Sequence, residues 1–222
     1  MRLWPAMLAM LAVGCSSTEP EVEDWVYHQP EQVDDGWQTA SLADVGMDHQ
    51  QLTIMMEVLR QNPGHLVHGI VIAVGGKLVF EEYFSGRTHP IYGEEAPIQF
   101  GRETKHTLSS VAKSVTATLL GIAIERGFVS SVDEHVFNYF PDYSDLNVGR
   151  KRDMSLEHLV TMSAGFEWDE SSFPDPRNDL TAWFRHDGDL IRFVLERPMV
   201  ADPGTHFTYN GGATNILGEV IG

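Results

Sequence analysis

The fold of this chain is best worked out from one apolar stretch, Thr107-Leu-Ser-Ser-Val-Ala-Lys-Ser-Val-Thr-Ala-Thr-Leu-Leu-Gly-Ile-Ala-Ile-Glu-Arg-Gly127. Its apolar residues predict a helix that runs to about Arg126, and Gly127 is the kind of residue that ends one. Ser110 and Lys113 stand three positions apart near its start. Both side chains therefore lie on one helix face, one turn from each other.

This serine and lysine indicate a nucleophile with its base. A serine hydroxyl is a poor nucleophile until a base takes its proton, and a neutral lysine amine within hydrogen-bonding reach can do so. The first helical turn has unpaired N–H groups and a partial positive charge, which disfavour an ammonium and stabilise negative charge on a serine oxygen. Serine hydrolase chemistry is the first hypothesis. The S-x-x-K spacing alone also fits a solvated lysine beside an ordinary polar serine.

Composition and charge narrow the class of protein. The 222 residues are 42% hydrophobic and 10% aromatic, as in a globular protein whose core needs no metal or disulfide. The formal net charge of −17 argues against a nucleic-acid partner, because a phosphate-binding surface needs clustered lysine and arginine. We interpret the one basic run, Arg150-Lys151-Arg152, as a solvated turn between helices.

The first residues predict export. A short basic start and an apolar run at 3–13 precede the chain's single cysteine, Cys15. This pattern resembles a bacterial lipoprotein signal, and the run is too short to remain as a membrane-spanning helix. We expect a signal at 1–15, lipidation of Cys15 and a membrane-anchored protein of the periplasm or cell envelope. A plain cleaved secretory signal is the alternative, because Pro5 interrupts the apolar run.

Two further parts follow the signal. Residues 16–40 are acidic and predict a tether, whose later part packs on the folded body through Trp25, Tyr27 and Trp37. Residues 41–222 are predicted to form the domain itself. Within it we expect a helix from Asp48 that ends before Asn62, and then a hairpin of two β-rich runs around Gly75-Gly76-Lys77.

Short helices are predicted for the rest of the chain. One is capped by Ser155, and another begins at Asn178 or Asp179. A third ends before Pro198, and a fourth begins at Thr214. A two-stranded sheet is marginal alone, and the sequence stops at Gly222 inside an apolar periodic segment. We therefore expect this sequence to be the front part of a longer protein.

Several strings, in order, agree with one family. They are Ser109-Ser-Val-Ala-Lys-Ser-Val-Thr116, Gly121-Ile-Ala-Ile-Glu-Arg-Gly127, Val132-Asp-Glu134, Tyr139-Phe-Pro-Asp-Tyr143, His158-Leu-Val-Thr-Met-Ser-Ala-Gly165 and Pro203-Gly-Thr-His-Phe-Thr-Tyr209. Over about 45–222 the chain resembles serine β-lactamase-like hydrolases, especially class C-like members and 6-aminohexanoate-oligomer hydrolases. The resemblance implies an α+β fold of the β-lactamase/transpeptidase type. Its antiparallel sheet, represented here by the N-terminal hairpin, packs with helices beside a mostly helical subdomain, and its C-terminal strands are missing from the sequence.

The resemblance also implies roles for individual residues. Ser110 would be the acylated nucleophile, Lys113 its proton acceptor and Tyr209 a second proton-transfer group, with Asn210 and Gly211 binding substrate. No cofactor and no metal are implied. Gly211 departs from the family's Tyr-x-Asn, which makes true β-lactam hydrolysis less favoured. The family's third motif is a Lys-Thr-Gly or His-x-Gly on a strand, and no such strand is found in the sequence, so we expect this sequence by itself to be inactive.

The resulting hypothesis is a hydrolase that cleaves a small amide or ester, of peptide or cell-wall origin among others, through an acyl-enzyme on Ser110. A D-alanyl-D-alanine carboxypeptidase, a true β-lactamase and a non-catalytic binding protein of the same fold are the alternatives. The ten histidines lack a metal-ligand spacing and are interpreted as surface or capping residues. Glu167, Asp169 and Glu170 are interpreted as the rim of a cleft rather than a catalytic carboxylate pair.

Overall fold

The computed structural model describes residues 25–87 and 96–222. They divide into two compact units, one ending at Lys105 and the other beginning at His106. The predicted signal, Cys15 and the first part of the predicted tether lie outside the described residues. Among the described residues, no helix is long and apolar enough to cross a membrane.

The first unit is built on the predicted hairpin. β1 (Gln38–Thr39), β2 (Gly69–Val74) and β3 (Lys77–Tyr83) form a sheet in the order β1-β3-β2. β2 runs antiparallel to β3, and β1 runs parallel to it. Gly75 and Gly76 have φ values of 56° and 77°, the left-handed backbone that a tight two-residue hairpin turn uses. Two short strands, β4 (Ser85–Gly86) and β5 (Ile98–Gln99), form a separate antiparallel pair.

One helix covers this sheet. α1 (His49–Arg60) begins as predicted, because the Asp48 carboxylate accepts the N–H of Gln50 at 2.9 Å and caps the helix. Its apolar face contributes Leu52 and Met56 to a core completed by Ala40, Leu42, Val79 and Phe80. The apolar side chains of α1, spaced at the helical period of 3.6 residues, thus pack against the buried face of β3.

The later part of the predicted tether packs on the same sheet. Trp25 Nε1 donates to Glu82 Oε1 at 3.1 Å, and the Tyr27 hydroxyl donates to the carbonyl of Val79 at 2.9 Å. Trp37 remains 48% exposed. The acidic segment is therefore part of the fold from Trp25 onward. It also contributes β1, a strand that its composition did not predict.

The second unit is helical. Its helices are α2 (Ala112–Glu125), α3 (Leu156–Val160), α4 (Asp179–Phe184), α5 (Leu190–Leu195) and α6 (Gly211–Ile221), joined in part by 3₁₀ turns at Ser109–Val111, Val136–Asn138, Pro141–Leu146 and Gly149–Asp153. α6 contacts each of the other four helices. Its residues Ala213 and Ile216 are fully buried. α6 is therefore the packing centre around which the candidate site is arranged.

The basic run does not form a wholly solvated turn, so that prediction is wrong for Lys151. Lys151 is 7% exposed, and its Nζ donates to the carbonyl of Leu195 at the end of α5. Burial lowers the pKa of Lys151, since desolvation disfavours the ammonium form. Arg150 remains at the surface and pairs with Asp202 at 2.6 Å. A lysine can enter a core in this way because its apolar stem packs while its amine meets unpaired carbonyls at a helix end.

Candidate active site

The start of α2 places Ser110 at the surface of the second unit. The preceding residue, Ser109, has a φ of 45°, a left-handed conformation that costs a residue with a side chain about 1–2 kcal/mol. The chain then passes through the Ser109–Val111 turn directly into the helix. Leu108 occupies the cap position and has no side-chain acceptor for the first N–H groups. The N–H groups at the start of the helix therefore have no side-chain cap, and the exposed Ser110 lies at the positive end of the helix dipole.

The structure brings Ser110, Lys113 and Tyr209 together. Lys113 Nζ donates to Ser110 Oγ at 3.4 Å, a long hydrogen bond. The same Nζ lies 5.0 Å from the centre of the Tyr209 ring. Ser110 is exposed, Lys113 is half-buried and Tyr209 is 40% exposed. The three side chains are thus grouped around one lysine and open to a ligand from solvent.

Main-chain hydrogen bonds hold the segment that carries Tyr209. Segment 198–208 is attached to segment 162–167 through four bonds of 2.8–2.9 Å: Glu167 N–H to Pro198 O, Val200 N–H to Gly165 O, Gly204 N–H to Ser163 O and Thr208 N–H to Met162 O. Met162 takes a φ of 54°, and its carbonyl meets the residue next to Tyr209. Gly165 has a φ of 85°, and a Cβ there would collide with the carbonyl of Ala201. The position of Tyr209 therefore depends on a close approach of two backbones.

Asn210 and Gly211 lie at the start of α6. Asn210 is 3% exposed, and its Oδ1 accepts the N–H of Ala213 at 2.9 Å, so it caps the helix. Gly211 is buried, and its N–H donates to Glu170 Oε1. Both residues therefore adjoin Tyr209 and take part in the turn into α6. Their role in substrate binding stays a prediction.

The sequence did not reveal that Glu170 lies beside the start of α6. Its Oε1 accepts the Trp168 indole N–H at 2.7 Å as well as the N–H of Gly211. The other acidic side chains of the loop differ: Glu167 is exposed, and Asp169 accepts hydrogen bonds from Ser171 and Ser172. A carboxylate suits a helix N-terminus, but the 41 residues between Glu170 and Gly211 hide the pairing from local pattern analysis.

Two of the histidines are capping residues. His158 Nδ1 accepts the N–H of Ser155 at 3.1 Å in a capping box, and His135 Nδ1 accepts the N–H of Phe137 at 3.3 Å. The interpretation as capping histidines is confirmed for these two. Within 25–87 and 96–222, no three histidine, cysteine or acidic side chains are grouped as metal ligands.

A polar groove adjoins the segment before Tyr209. It has a volume of about 520 Å³ and lies between α3 and the turn at Gly204. Hydroxyl, imidazole and carboxylate side chains line it together with the exposed ring of Phe207. The groove therefore offers hydrogen-bonding groups rather than an apolar slot.

Comparison with known proteins agrees with the fold. The family model described as beta-lactamase matches residues 57–222, well over half of the chain. The chain belongs to the β-lactamase family. The predicted membership of the serine β-lactamase-like superfamily and the predicted α+β fold are both confirmed.

Two solved structures of this family's fold match the chain. One is a Bacillus anthracis protein provisionally named a 6-aminohexanoate-dimer hydrolase, with a TM-score of 0.54, 22% identity, and coverage of 75% of this chain and 42% of that one. The other is a Bacteroides dorei protein provisionally named a β-lactamase, with a TM-score of 0.53, 21% identity, and coverage of 78% and 45%. The β-lactamase-family chain thus spans less than half the length of either. A search of curated proteins found no match.

Proposed function

We propose that the protein is a serine hydrolase that cleaves an amide or ester through an acyl-enzyme on Ser110. The observation that carries the proposal is the grouping of Ser110 Oγ, Lys113 Nζ and the Tyr209 ring, within 3.4 Å and 5.0 Å of the lysine nitrogen. Membership of the β-lactamase family supports the same class of reaction. A nucleophile, a base beside it and a second proton carrier are the groups that acyl transfer requires.

The acylation step follows from these groups. Lys113, as the neutral amine, takes the proton of Ser110, and Oγ forms a bond to the substrate carbonyl carbon. The carbonyl electrons move to oxygen, where the N–H groups at the start of α2 stabilise the negative charge. When the tetrahedral intermediate collapses, the bond to the leaving amine or alcohol breaks. That group takes a proton from Tyr209, whose hydroxyl is then restored by the proton on Lys113.

Deacylation uses the same residues in the reverse direction. Tyr209 or Lys113 takes a proton from water, and the water oxygen attacks the acyl carbon. The Ser110 ester bond breaks, Oγ regains a proton, and the carboxylic acid leaves. The three residues thus return to their starting protonation states after each turnover.

A non-catalytic binding protein of the same fold is the second candidate. The observation in its favour is at positions 210 and 211, where the Asn210 Oδ1 is used to cap α6 and Gly211 has no side chain. A β-lactamase-family protein that keeps the serine but binds a ligand without cleaving it would fit this pattern. D-alanyl-D-alanine peptides and β-lactams are narrower substrate alternatives within the hydrolase hypothesis.

The test is covalent labelling of the full-length protein. We expect a fluorophosphonate probe to add to Ser110, as located by mass spectrometry of the digested protein. Ser110→Ala should lose the adduct, and Ser114→Ala, one turn along the same helix, should keep it. A folded protein with no adduct on Ser110 supports the binding-protein candidate. A penicillin-type probe, a D-alanyl-D-alanine peptide and simple esters then separate the substrate classes.

We further propose that the protein is exported and anchored to the membrane by a lipid on Cys15. The support is the basic start, the apolar run and the position of this single cysteine. Mass spectrometry of the membrane fraction should find a lipid-modified Cys15 as the mature N-terminus. A soluble protein cut at another position would instead indicate a plain secretory signal.

A further inference from the structure

We propose that Glu170 is a positioning residue for Tyr209, holding the turn that follows it through the backbone of Gly211. This inference rests on the proposed function, since it assigns a purpose to the placement of a proton-transfer group. The Glu170 carboxylate is on a loop, and its hydrogen bonds in the described part of the chain go to Gly211 and Trp168 rather than to Ser110, Lys113 or Tyr209. Glu170 would therefore act through another residue.

The contacts of Glu170 form a bridge between two elements. Oε1 accepts the N–H of Gly211, the first residue of α6, and the indole N–H of Trp168 at 2.7 Å. A carboxylate at a helix N-terminus accepts a charge-assisted hydrogen bond and meets the positive end of the helix dipole. One oxygen atom thus ties the start of α6 to the loop that carries Trp168.

The loop end of this bridge is fixed in the core. Trp168 is 7% exposed, and its ring lies edge-on to Phe193 with centroids 6.4 Å apart. The guanidinium of Arg197 lies 5.9 Å from the same ring and pairs with Asp179 at 3.1 Å. Because Trp168 is held by packing, its indole N–H fixes where the Glu170 carboxylate sits.

The identity of Gly211 fits this arrangement. A Cβ at position 211 would lie 2.8 Å from Glu170 Oε1 and 3.2 Å from Leu180 Cδ1. Separations below 3.0 Å require one of the two groups to move, and the Glu170 carboxylate, at the end of a flexible side chain, would have to shift away from this place. Glycine at 211, the departure from Tyr-x-Asn seen in the sequence, is therefore the residue that makes room for Glu170.

Tyr209 lies between two fixed points of the backbone. On one side, the Thr208 N–H donates to Met162 O at 2.8 Å. On the other, the Gly211 N–H donates to Glu170. The tyrosine ring itself is 40% exposed, so packing holds it less than the backbone does. Loss of the Glu170 contact would free one end of this short span and loosen the placement of the phenol against Lys113.

The experiment compares four variants of the full-length protein by their steady-state turnover of a simple amide or ester substrate. Glu170→Ala removes the acceptor, and Glu170→Asp keeps the charge but withdraws the oxygen from Gly211. We expect both to lower kcat about 10- to 100-fold, because small displacements of catalytic groups cost this much, with KM changed less than about threefold. Glu170→Gln retains an acceptor oxygen and should restore most of the rate. Glu219→Ala, which replaces an exposed glutamate on α6, is the matched control and should behave as wild type.

Two further readouts separate positioning from simple stabilisation. The pH profile of kcat should change in Glu170→Ala and Glu170→Asp, and the Gly211 amide should exchange faster with solvent than in wild type. A lowered melting temperature with an unchanged kcat and pH profile would overturn the inference and leave Glu170 a structural residue. If Glu170→Ala does not fold, Glu170→Asp decides by the same criteria. A wild-type protein that is not acylated refutes the proposed function, whereas an acylated wild type with unaffected Glu170 variants refutes only this inference.

Discussion

Lys113 Nζ lies 5.0 Å from the centre of the Tyr209 ring, within the range of a cation–π contact. The same nitrogen also contacts Ser110 Oγ. Lys113 therefore links the start of α2 to Tyr209, two residues before the first residue of α6. Substitutions at these positions should separate the charge of the lysine from its capacity to exchange a proton.

Lys113→Arg should keep the positive charge and lower the rate of Ser110 acylation by about 10²–10⁴-fold. The reason is that a guanidinium cannot lose its proton in a protein, so no base remains beside the serine. The rate of Ser110 acylation is measured by quenching fluorophosphonate labelling reactions at a series of times. Lys105→Arg, a substitution outside the helical unit, is the control. A Lys113→Arg protein labelled at the wild-type rate would show that the charge alone activates Ser110.

Tyr209→Phe should keep the ring beside Lys113 and lower the turnover of an amide substrate by about 10²–10⁴-fold. Only the phenol hydroxyl, the proton carrier of the proposed mechanism, is removed. Because Tyr209 is 40% exposed, we expect the free energy of unfolding to change by less than about 0.5 kcal/mol. Turnover and urea denaturation of the same preparation check both statements. Comparable turnover in the two proteins would exclude Tyr209 from proton transfer.

Ser109→Gly should be more stable than Ser109→Ala by about 1 kcal/mol. Both variants lose the hydroxyl, but only glycine adopts the φ of 45° without a steric cost. The comparison of the two variants by urea denaturation isolates the backbone contribution. Equal stabilities would mean that the chain relaxes out of the left-handed conformation when the serine is replaced.

Acidification should destabilise the first unit through Glu81. Arg102 donates to both oxygens of Glu81, with Nε 2.9 Å from Oε1, and this pairing lowers the pKa of Glu81 below its ordinary value of 4.5. A depressed pKa in the folded state contributes stability above pH 4.5, and that stability is lost as the pH falls through the folded-state pKa. Glu81→Gln should therefore lower the free energy of unfolding at pH 7 by about 1–3 kcal/mol and flatten its dependence on acidic pH.

Urea denaturation at several pH values tests the Glu81 prediction. Glu57→Gln, an exposed glutamate on α1, is the matched control and should follow the wild-type pH dependence. The same ion pair also affects Tyr83. Burial and the nearby Glu81 carboxylate raise the pKa of Tyr83 to about 12. A Glu81→Gln protein with the wild-type slope below pH 4.5 would show that other carboxylates dominate acid unfolding.

Local signals in the sequence were sufficient for the hairpin and for several helices, including α3, capped by Ser155, and α4, which begins at Asp179. Gly75-Gly76 placed the turn, Asp48 placed the start of α1, and Gly127 placed the end of α2. Each depends on residues adjacent in sequence, whose capping and turn preferences act over a few positions. The start of α6 was predicted at Thr214 and lies at Gly211 instead.

The error at α6 has a tertiary cause. Two glycines disfavour a helix, but a Cβ at Gly212 would lie 2.7 Å from a Val194 methyl and 2.9 Å from the Trp168 ring. Packing therefore requires glycine where propensity argues against it. The left-handed backbone of Ser109 and Met162 was likewise not predictable, since neither is a residue that usually adopts it. The pairing of Ser110 with Lys113 followed from their helical spacing, whereas Tyr209, about a hundred residues away, came from the family resemblance and not from any local pattern.

The attachment of segment 198–208 to segment 162–167 also bears on how this protein can diversify. The four hydrogen bonds join main-chain atoms, so they tolerate exchange of most side chains along the outer segment. Val200 and Phe207 are 58% and 65% exposed, and His206 is exposed as well. A combinatorial library at these three positions would vary the surface beside Tyr209 while Gly165 preserves the close approach of the two backbones. Substrate preference could thus evolve here without moving the proposed proton carrier.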